Sequence, residues 1–398
     1  MTRNQWISRL AWAGAATALF VAVLGAYVRL NHAGLGCPDW PVCYGKITWP
    51  TQAEDIMAAN EAFPERPVET GKAWREQVHR FFAAGLGVVV LALALVANWA
   101  QPRRRLIVAG GAIAATAGTF SYIFGAVGLS VAFSVVAIGL PLAGAILWRG
   151  DGPGRLAAGL LALIIFQAML GMWTVTMLLK PAIVTAHLLG GLSTVTLLVC
   201  LAGMTTPALR QRAVDYGTRK LTWIALVVVV MQIFLGGWTS TNYAALACPD
   251  FPTCQGQWWP ETDLAEGFVL WRGVGVDYEG GVLDATARTG IHWVHRLGAI
   301  VVTLVVGLLA LRLVTASRLR FHGVALAGAL LLQLGLGVWN VVGGLPLWVA
   351  TAHNGGAALL LAALVLLLVR FAPERARVPA PAAGSDVTGG VAHAEPAP

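Results

Sequence analysis

The chain has 398 residues, 57% of them hydrophobic and only 12% charged, with a mean hydropathy of +0.71. Soluble domains carry about 25% charged residues. A water-soluble enzyme, a disordered chain and a nucleic-acid binder are therefore excluded, despite a net charge of +8. The positive excess fits the basic bias of membrane-protein loops on the cytoplasmic side.

Apolar runs of 18 or more residues predict membrane helices. In chain order they fall at 10–28, 78–100, 156–179, 182–203, 221–238, 291–311, 323–342 and 347–369. Between the second and third lies a further apolar stretch, 106–148. Its 43 residues are too many for one span and suit a two-span hairpin. The expected count is ten spans, or eight without the hairpin. The fold class is an all-α polytopic membrane protein. The first span lacks a small-residue cleavage site followed by a soluble domain, so it is read as a span and not a signal peptide.

Basic residues set the orientation. Arg3 and Arg9 precede the first span, and Arg103, Arg104 and Arg105 follow the second. Arg149 and Arg155, then Arg210, Arg212, Arg219 and Lys220, then Arg312, Arg318 and Arg320, flank later junctions. Arg370, Arg375 and Arg377 follow the last span. With an even count, all lie on one side, expected to be cytoplasmic together with both termini. Two long loops, 29–75 and 240–289, hold 13 of the 19 acidic residues and face the other side. The tail 379–398 is rich in Pro, Ala and Gly and is expected to be disordered.

The chain repeats itself. Gln167-Ala-Met-Leu-Gly-Met-Trp173 matches Gln333-Leu-Gly-Leu-Gly-Val-Trp339, and Thr185-Ala-His187 matches Thr351-Ala-His353, both at an offset of 166. Earlier in each half, Val78-His79-Arg80 matches Val294-His295-Arg296 at an offset of 216. Cys37-Pro-Asp-Trp-Pro-Val-Cys43 matches Cys248-Pro-Asp-Phe-Pro-Thr-Cys254 at 211. The offset falls from 216 to 166, so the first half carries about 50 extra residues between its second and third repeated helices. This is the hairpin, read independently of hydropathy. The expected organisation is an N-terminal four-helix half, 1–220, with the insert at about 103–150, and a C-terminal four-helix half, 221–378. Both halves have the same orientation, as in parallel-repeat transporters.

Four of the eight His occupy matched places: His79, His187, His295 and His353. His79 and His295 lie just inside the helix that follows each long loop. His187 and His353 lie six and seven residues after Pro181 and Pro346, roughly 9–10 Å into the bilayer from the outer side. Ionisable residues at such depth are rare and functional. Two facing His on neighbouring helices can supply both axial ligands of a haem iron. Gly190 and Gly191 after His187, and Gly355 and Gly356 after His353, allow a flat macrocycle close approach. Arg80 and Arg296 are candidate propionate partners. Zinc fits less well, because no third and fourth ligand stands at suitable spacing. The halves differ three residues before the first His, where Glu76 stands opposite His292. The i, i+3 spacing puts Glu76 on the same face as His79, where a carboxylate can act as a base or stabilise a developing cation. A helix-capping role for Glu76 is the plain alternative, and the role of His292 is left open.

Cys37 with Cys43 and Cys248 with Cys254 are expected to form local disulfides if their loops face an oxidising compartment. A structural role outweighs a redox one. Cys200 reads as a small apolar residue within a span.

Taken together, Glu76-Gln-Val-His79-Arg80, Gln167-Ala-Met-Leu-Gly-Met-Trp-Thr-Val175 followed by Thr185-Ala-His187-Leu-Leu-Gly-Gly191, the second-half partners His295 and His353, and both Cys-Pro-Asp-aromatic-Pro-x-Cys loops resemble the haem A synthase family. The resemblance covers nearly the whole chain except the insert and the tail. It implies two pseudosymmetric four-helix bundles with eight spans. The insert departs from that, and is expected on the cytoplasmic side, away from the His. The resemblance also implies an activity: a ring methyl of haem O, a farnesylated haem, is oxidised to a formyl group through an alcohol and a geminal diol, giving haem A for cytochrome oxidase. It implies that His295 and His353 hold a permanent haem b, and that His79 and His187 bind the substrate haem beside a catalytic Glu76. The implied partners are haem O and haem A, haem O synthase, cytochrome oxidase assembly factors and membrane lipid, without nucleic acid; a homo-oligomer stays open. The rival reading is a dihaem b-type electron-transfer cytochrome with both haems permanent. A parallel-repeat transporter is disfavoured, because the ionisable residues are confined to the outer ends.

Overall fold

The computed structural model describes residues 1–150, 152–209 and 214–371. The expected tail at 379–398, and Arg210, Arg212, Arg375 and Arg377, fall outside the described residues. Among these, ten helices are long and apolar enough to cross a membrane. In chain order the helices are α1 (Arg3–Leu30), α2 (Ala53–Ala62), α3 (Thr70–Ala97), α4 (Pro102–Ile123), α5 (Val127–Leu147), α6 (Gly152–Thr176), α7 (Pro181–Thr205), α8 (Tyr216–Thr241), α9 (Leu264–Gly267), α10 (Ala285–Thr315), α11 (Arg320–Val342) and α12 (Leu347–Arg370). Only α2 and α9 are too short to span.

Local chemistry explains most of the helix starts. Thr2 and Gln5 form a capping box on α1. Asp215 and Asp284 accept from Thr218 N and Ala287 N at the starts of α8 and α10. Pro102 and Pro181 occupy the first turns of α4 and α7, where no amide hydrogen is needed. Pro346 caps α12. The helices after the long loops begin earlier than their apolar runs. Residues 70–77 and 285–290 are helical but more polar. His79 is therefore the tenth residue of α3, not one near its start. Hydropathy finds where a helix enters lipid, and hydrogen bonding continues beyond it.

Within the first half, α1, α3, α6 and α7 close a ring in which each packs on two others. In the second half, α8, α10, α11 and α12 do the same. The rings meet where α7 and α12 pack together, flanked by the α1–α12 and α7–α8 contacts. The first core gathers Ile7, Leu93, Val108, Leu160 and Leu198, and the second gathers Val306, Leu309, Leu313, Leu326 and Leu364. The insert, α4–α5, packs mainly on itself and on α6. Gly111 on α4 makes room for the Pro141 ring of α5, since a Cβ there would lie 3.0 Å from Pro141 Cδ.

One expectation is overturned. The insert does not lie away from the His. Its turn, at 124–126, is at the same end as the Cys loops, and Tyr122 packs edge-on against Trp40 of the first loop at 6.0 Å. A hairpin leaving the basic end must cross and return, so its tip reaches the opposite end.

The two Cys loops are folded alike. Cys37–Cys43 and Cys248–Cys254 are disulfide-bonded, with Cα atoms 4.7 and 4.6 Å apart. In each loop one Asp accepts from two backbone amides: Asp39 from Tyr44 and Gly45, and Asp250 from Gln255 and Gly256. Bonds from Thr253 Oγ1 and from those amides hold the Asp250 carboxyl at about 2, below its usual 3.8. The folded value is the lower one, so this contribution to loop stability is complete above the ordinary carboxylate range. It is lost as pH falls towards 2.

The second long loop also reaches across to the first half. Tyr278 N donates to Leu178 O at 3.1 Å, in the turn between α6 and α7. Lys180, 1% exposed, donates to the carbonyls of Arg272 and Gly273 and lies 3.6 Å from the Trp271 ring centre. Arg66 of the first loop pairs with both Asp277 and Glu279.

Candidate functional site

The four matched His share one local design. Each packs its ring edge on a glycine of the preceding repeated helix. A Cβ added at Gly25 would lie 2.9 Å from His79 Cε1, at Gly236 3.0 Å from His295 Cε1, at Gly337 3.1 Å from His353 Cε1, and at Gly171 3.5 Å from His187 Cε1. At Gly25, Gly236 and Gly337 any other residue would crowd the imidazole, whereas at Gly171 a Cβ would make only an ordinary contact. His79 and His187 line one cavity and lie within electrostatic reach of each other. His295 and His353 also lie within electrostatic reach of each other.

A second recurring element was not recognised in the sequence. One turn before three of those glycines stands a Gln. Gln232 Nε2 donates to the backbone O of His295 at 2.9 Å and lies 3.1 Å from its ring Nδ1. Gln333 Nε2 donates to the backbone O of His353 at 3.0 Å and lies 3.4 Å from its ring Nε2. Each amide fits over a glycine three residues after the His, Gly298 or Gly356. These clasps tie both His-bearing turns of the second half to the helix beside them. In the first half neither hydrogen-bonded clasp forms, although Gln167 also lies over Gly190, the glycine three residues after His187. Gln167 is 5% exposed, yet both of its amide atoms are buried without a partner. The place matching Gln232 is Val21, and the place matching Gly298 is Phe82. The pattern Gln-x3-Gly, written three times, was the available signal.

Glu76 is 8% exposed and lines the first-half cavity with His79 and His187. Arg80 Nε donates to its Oε1 at 3.0 Å. The Arg80 Nη atoms bond the carbonyls of Asp39, Val42 and Cys37. Arg296 repeats this with the carbonyls of Thr253 and Cys248, and its Nε faces His292 Nε2 at 3.2 Å. Both arginines therefore staple a Cys loop to the helix that carries the first His, through the groups that were candidates for a propionate. His292 also faces the amide of Cys248 at 3.3 Å, which places it in the loop anchor.

The cavity has a volume of about 880 Å³ and runs from these residues to the insert, where Thr116, Thr119 and Tyr122 of α4 and Ser130 and Ser134 of α5 line it. The residues suit an iron macrocycle. Nδ1 of His79, His187 and His353 is buried without a partner. Among the described residues no three His, Cys, Asp or Glu side chains gather as a bare ion would require. A donor set of two imidazoles leaves the remaining coordination positions to a macrocycle.

The sequence pattern of the COX15-CtaA family, described as cytochrome oxidase assembly protein, matches residues 8–365. The chain belongs to this family. Among COX15-CtaA relatives, it is 41% identical over 352 residues to the heme A synthase of Shewanella oneidensis, covering 88% of this chain and 92% of that one. It is 25% identical over 378 residues to the heme A synthase of Sphingopyxis alaskensis, covering 92% of each. It is 26% identical over 375 residues to that of Erythrobacter litoralis, covering 89% and 94%. The matched span of the COX15-CtaA pattern includes all four His, Glu76 and both Cys pairs.

Proposed function

We propose that this membrane protein is a haem A synthase, an oxidoreductase that converts the ring methyl of haem O to the formyl group of haem A for cytochrome oxidase. The observation that carries the reading is the asymmetry of two otherwise matched His pairs. The first half has a carboxylate, Glu76, beside His79 in a roomy cavity, and its imidazoles lack Gln clasps. In the second half both His turns are clasped and the place of Glu76 is taken by a loop-anchoring His292.

The division of labour follows. His295 and His353 hold a resident haem b. Gln232 and Gln333 fix those two turns, which favours retention over exchange. The resident haem supplies a one-electron relay when bound. His79 and His187 hold the substrate haem. Glu76 is oriented by Arg80 at Oε1, and Oε2 is the atom we assign to proton transfer at the reacting edge. Arg80 also ties this carboxylate to the Cys37–Cys43 loop, which closes the cavity end. Both termini lie on the cytoplasmic side of a bacterial inner membrane and both Cys loops on the periplasmic side, with haem O synthase as the natural supplier.

The reading is tested by extracting and chromatographing the haems of the purified protein, made in cells that supply haem O but have no other haem A synthase. Haem A in the extract is the expected result. Two equal, non-exchanging haem b groups with no haem A would establish the dihaem cytochrome instead. A smaller effect tests the clasp. Gln333→Leu keeps bulk but loses a donor, and a typical buried hydrogen bond contributes about 1 kcal/mol. The resident haem should leave roughly fivefold faster and its low-spin paramagnetic resonance should shift. Unchanged release and an unchanged spectrum would separate Gln333 from haem retention.

A further inference from the structure

The insert stands over a gap that the second half leaves open. On the bundle side of the cavity, Ala84 and Val88 of α3 and Ile165 of α6 face it. Val88 is itself 67% exposed, so the hairpin leaves open space beside α3 and does not cover it; the repeat partners Ile300, Leu304 and Leu331, 56%, 67% and 68% exposed, have no hairpin beside them to wall off such a space. On the hairpin side, the lining positions 112, 115, 116, 119 and 122 of α4 recur at helical spacing and so form one face. From Ala112 to Tyr122 that face is about 15 Å long. Apart from Tyr122 at the end near the first Cys loop its side chains are small, and the Thr116 and Thr119 hydroxyls bond back to Ala112 O and Ala115 O of their own helix. The wall is thus effectively apolar. It is continuous with the His79, His187 and Glu76 end, where the unpartnered amide of Gln167 also lines the cavity.

We infer that this side chamber, between α3 and α6 on one side and the α4–α5 hairpin on the other, is the seat of the substrate's isoprenoid chain. This rests on the reading that the first half binds the substrate haem. A flat ring carrying one long apolar branch needs a slot for the ring and an attached apolar channel. The insert gives the first half such a channel, and Glu76 lines the same cavity. A resident haem b carries no such branch, and the half proposed to hold it has no insert. The occupant is the chain of the substrate and not a lipid acyl chain, because the chamber opens inward to the His pair.

The test compares haem O with protohaem, which lacks the chain. Full-length protein is loaded with each, and release to excess apomyoglobin is followed by absorbance. In the unaltered protein, haem O should leave the first half at least about tenfold more slowly, since each buried methylene adds affinity. Thr116→Phe and Ser134→Phe fill the chamber from α4 and α5. Each should bring haem O release close to that of protohaem, with protohaem release and the second-half haem unchanged. Variants that keep the haem O preference, or that speed both haems equally, overturn the inference. A phospholipid seen by native mass spectrometry in the unaltered protein and lost from variants that keep the preference assigns the chamber to lipid and overturns it too. If His187→Ala alters the release of neither haem, it is the substrate-side reading that has failed. Loss of the second-half haem would mark a variant that misfolds, and Ala84→Leu on α3 then decides the matter from the opposite wall.

Discussion

Replacing Glu76 by Gln should abolish haem A formation while leaving haem bound. The side chain keeps its size and its contact with Arg80 Nε, but can no longer take a proton at Oε2. A positioned general base contributes about 10²–10⁴-fold to a rate, so haem A should fall by that order and haem O should accumulate in the same extract. Glu76→Ala should do the same and also free Arg80, whose three loop carbonyls remain as partners. The measurement is the haem A to haem O ratio by chromatography, with total haem per protein as control. An unchanged ratio in the Gln variant removes Glu76 from the chemistry. A fall in total haem without a change in ratio makes it a binding residue.

Removal of His295 or His353 should have the second large effect. The partner imidazole alone leaves the iron with one protein ligand, and the clasp from Gln232 or Gln333 then holds an empty place. Resident haem should bind at least tenfold more weakly, equivalent to about 1.4 kcal/mol or more, and the reduced b-type absorbance of the purified protein should largely vanish. His79→Ala and His187→Ala should instead deplete haem O and its products and spare that absorbance. The reverse outcome would mean that the two halves have exchanged roles.

The spans were legible because lipid demands long apolar runs, and the insert was legible because a repeat offset cannot fall by 50 without extra chain. The His pairs were legible because the same residues recur where ionisable groups are rare. What escaped was lateral placement. Periodicity says which residues share a face of α4, but not which helix that face meets. So the insert was expected far from the His, although Tyr122 meets Trp40. The Gln clasps escaped for a related reason. Gln232 and His295 are 63 residues apart, and only the packing of α8 on α10 brings them together. Arg80 and Arg296 looked free for an anion because backbone carbonyls, which bind them both, leave no mark in a sequence.

The cross-over of the second long loop carries a consequence for how this molecule is built. Lys180, Leu178 and Arg66 belong to one copy of the repeat, while Trp271, Tyr278 and Glu279 belong to the other. The copies are thus stitched at their surfaces as well as joined in the polypeptide. A cut in the short connection between them would leave two fragments that still find and grip each other. The two copies interlock, so a difference between them, such as Glu76 in one against His292 in the other, need not loosen either from its twin.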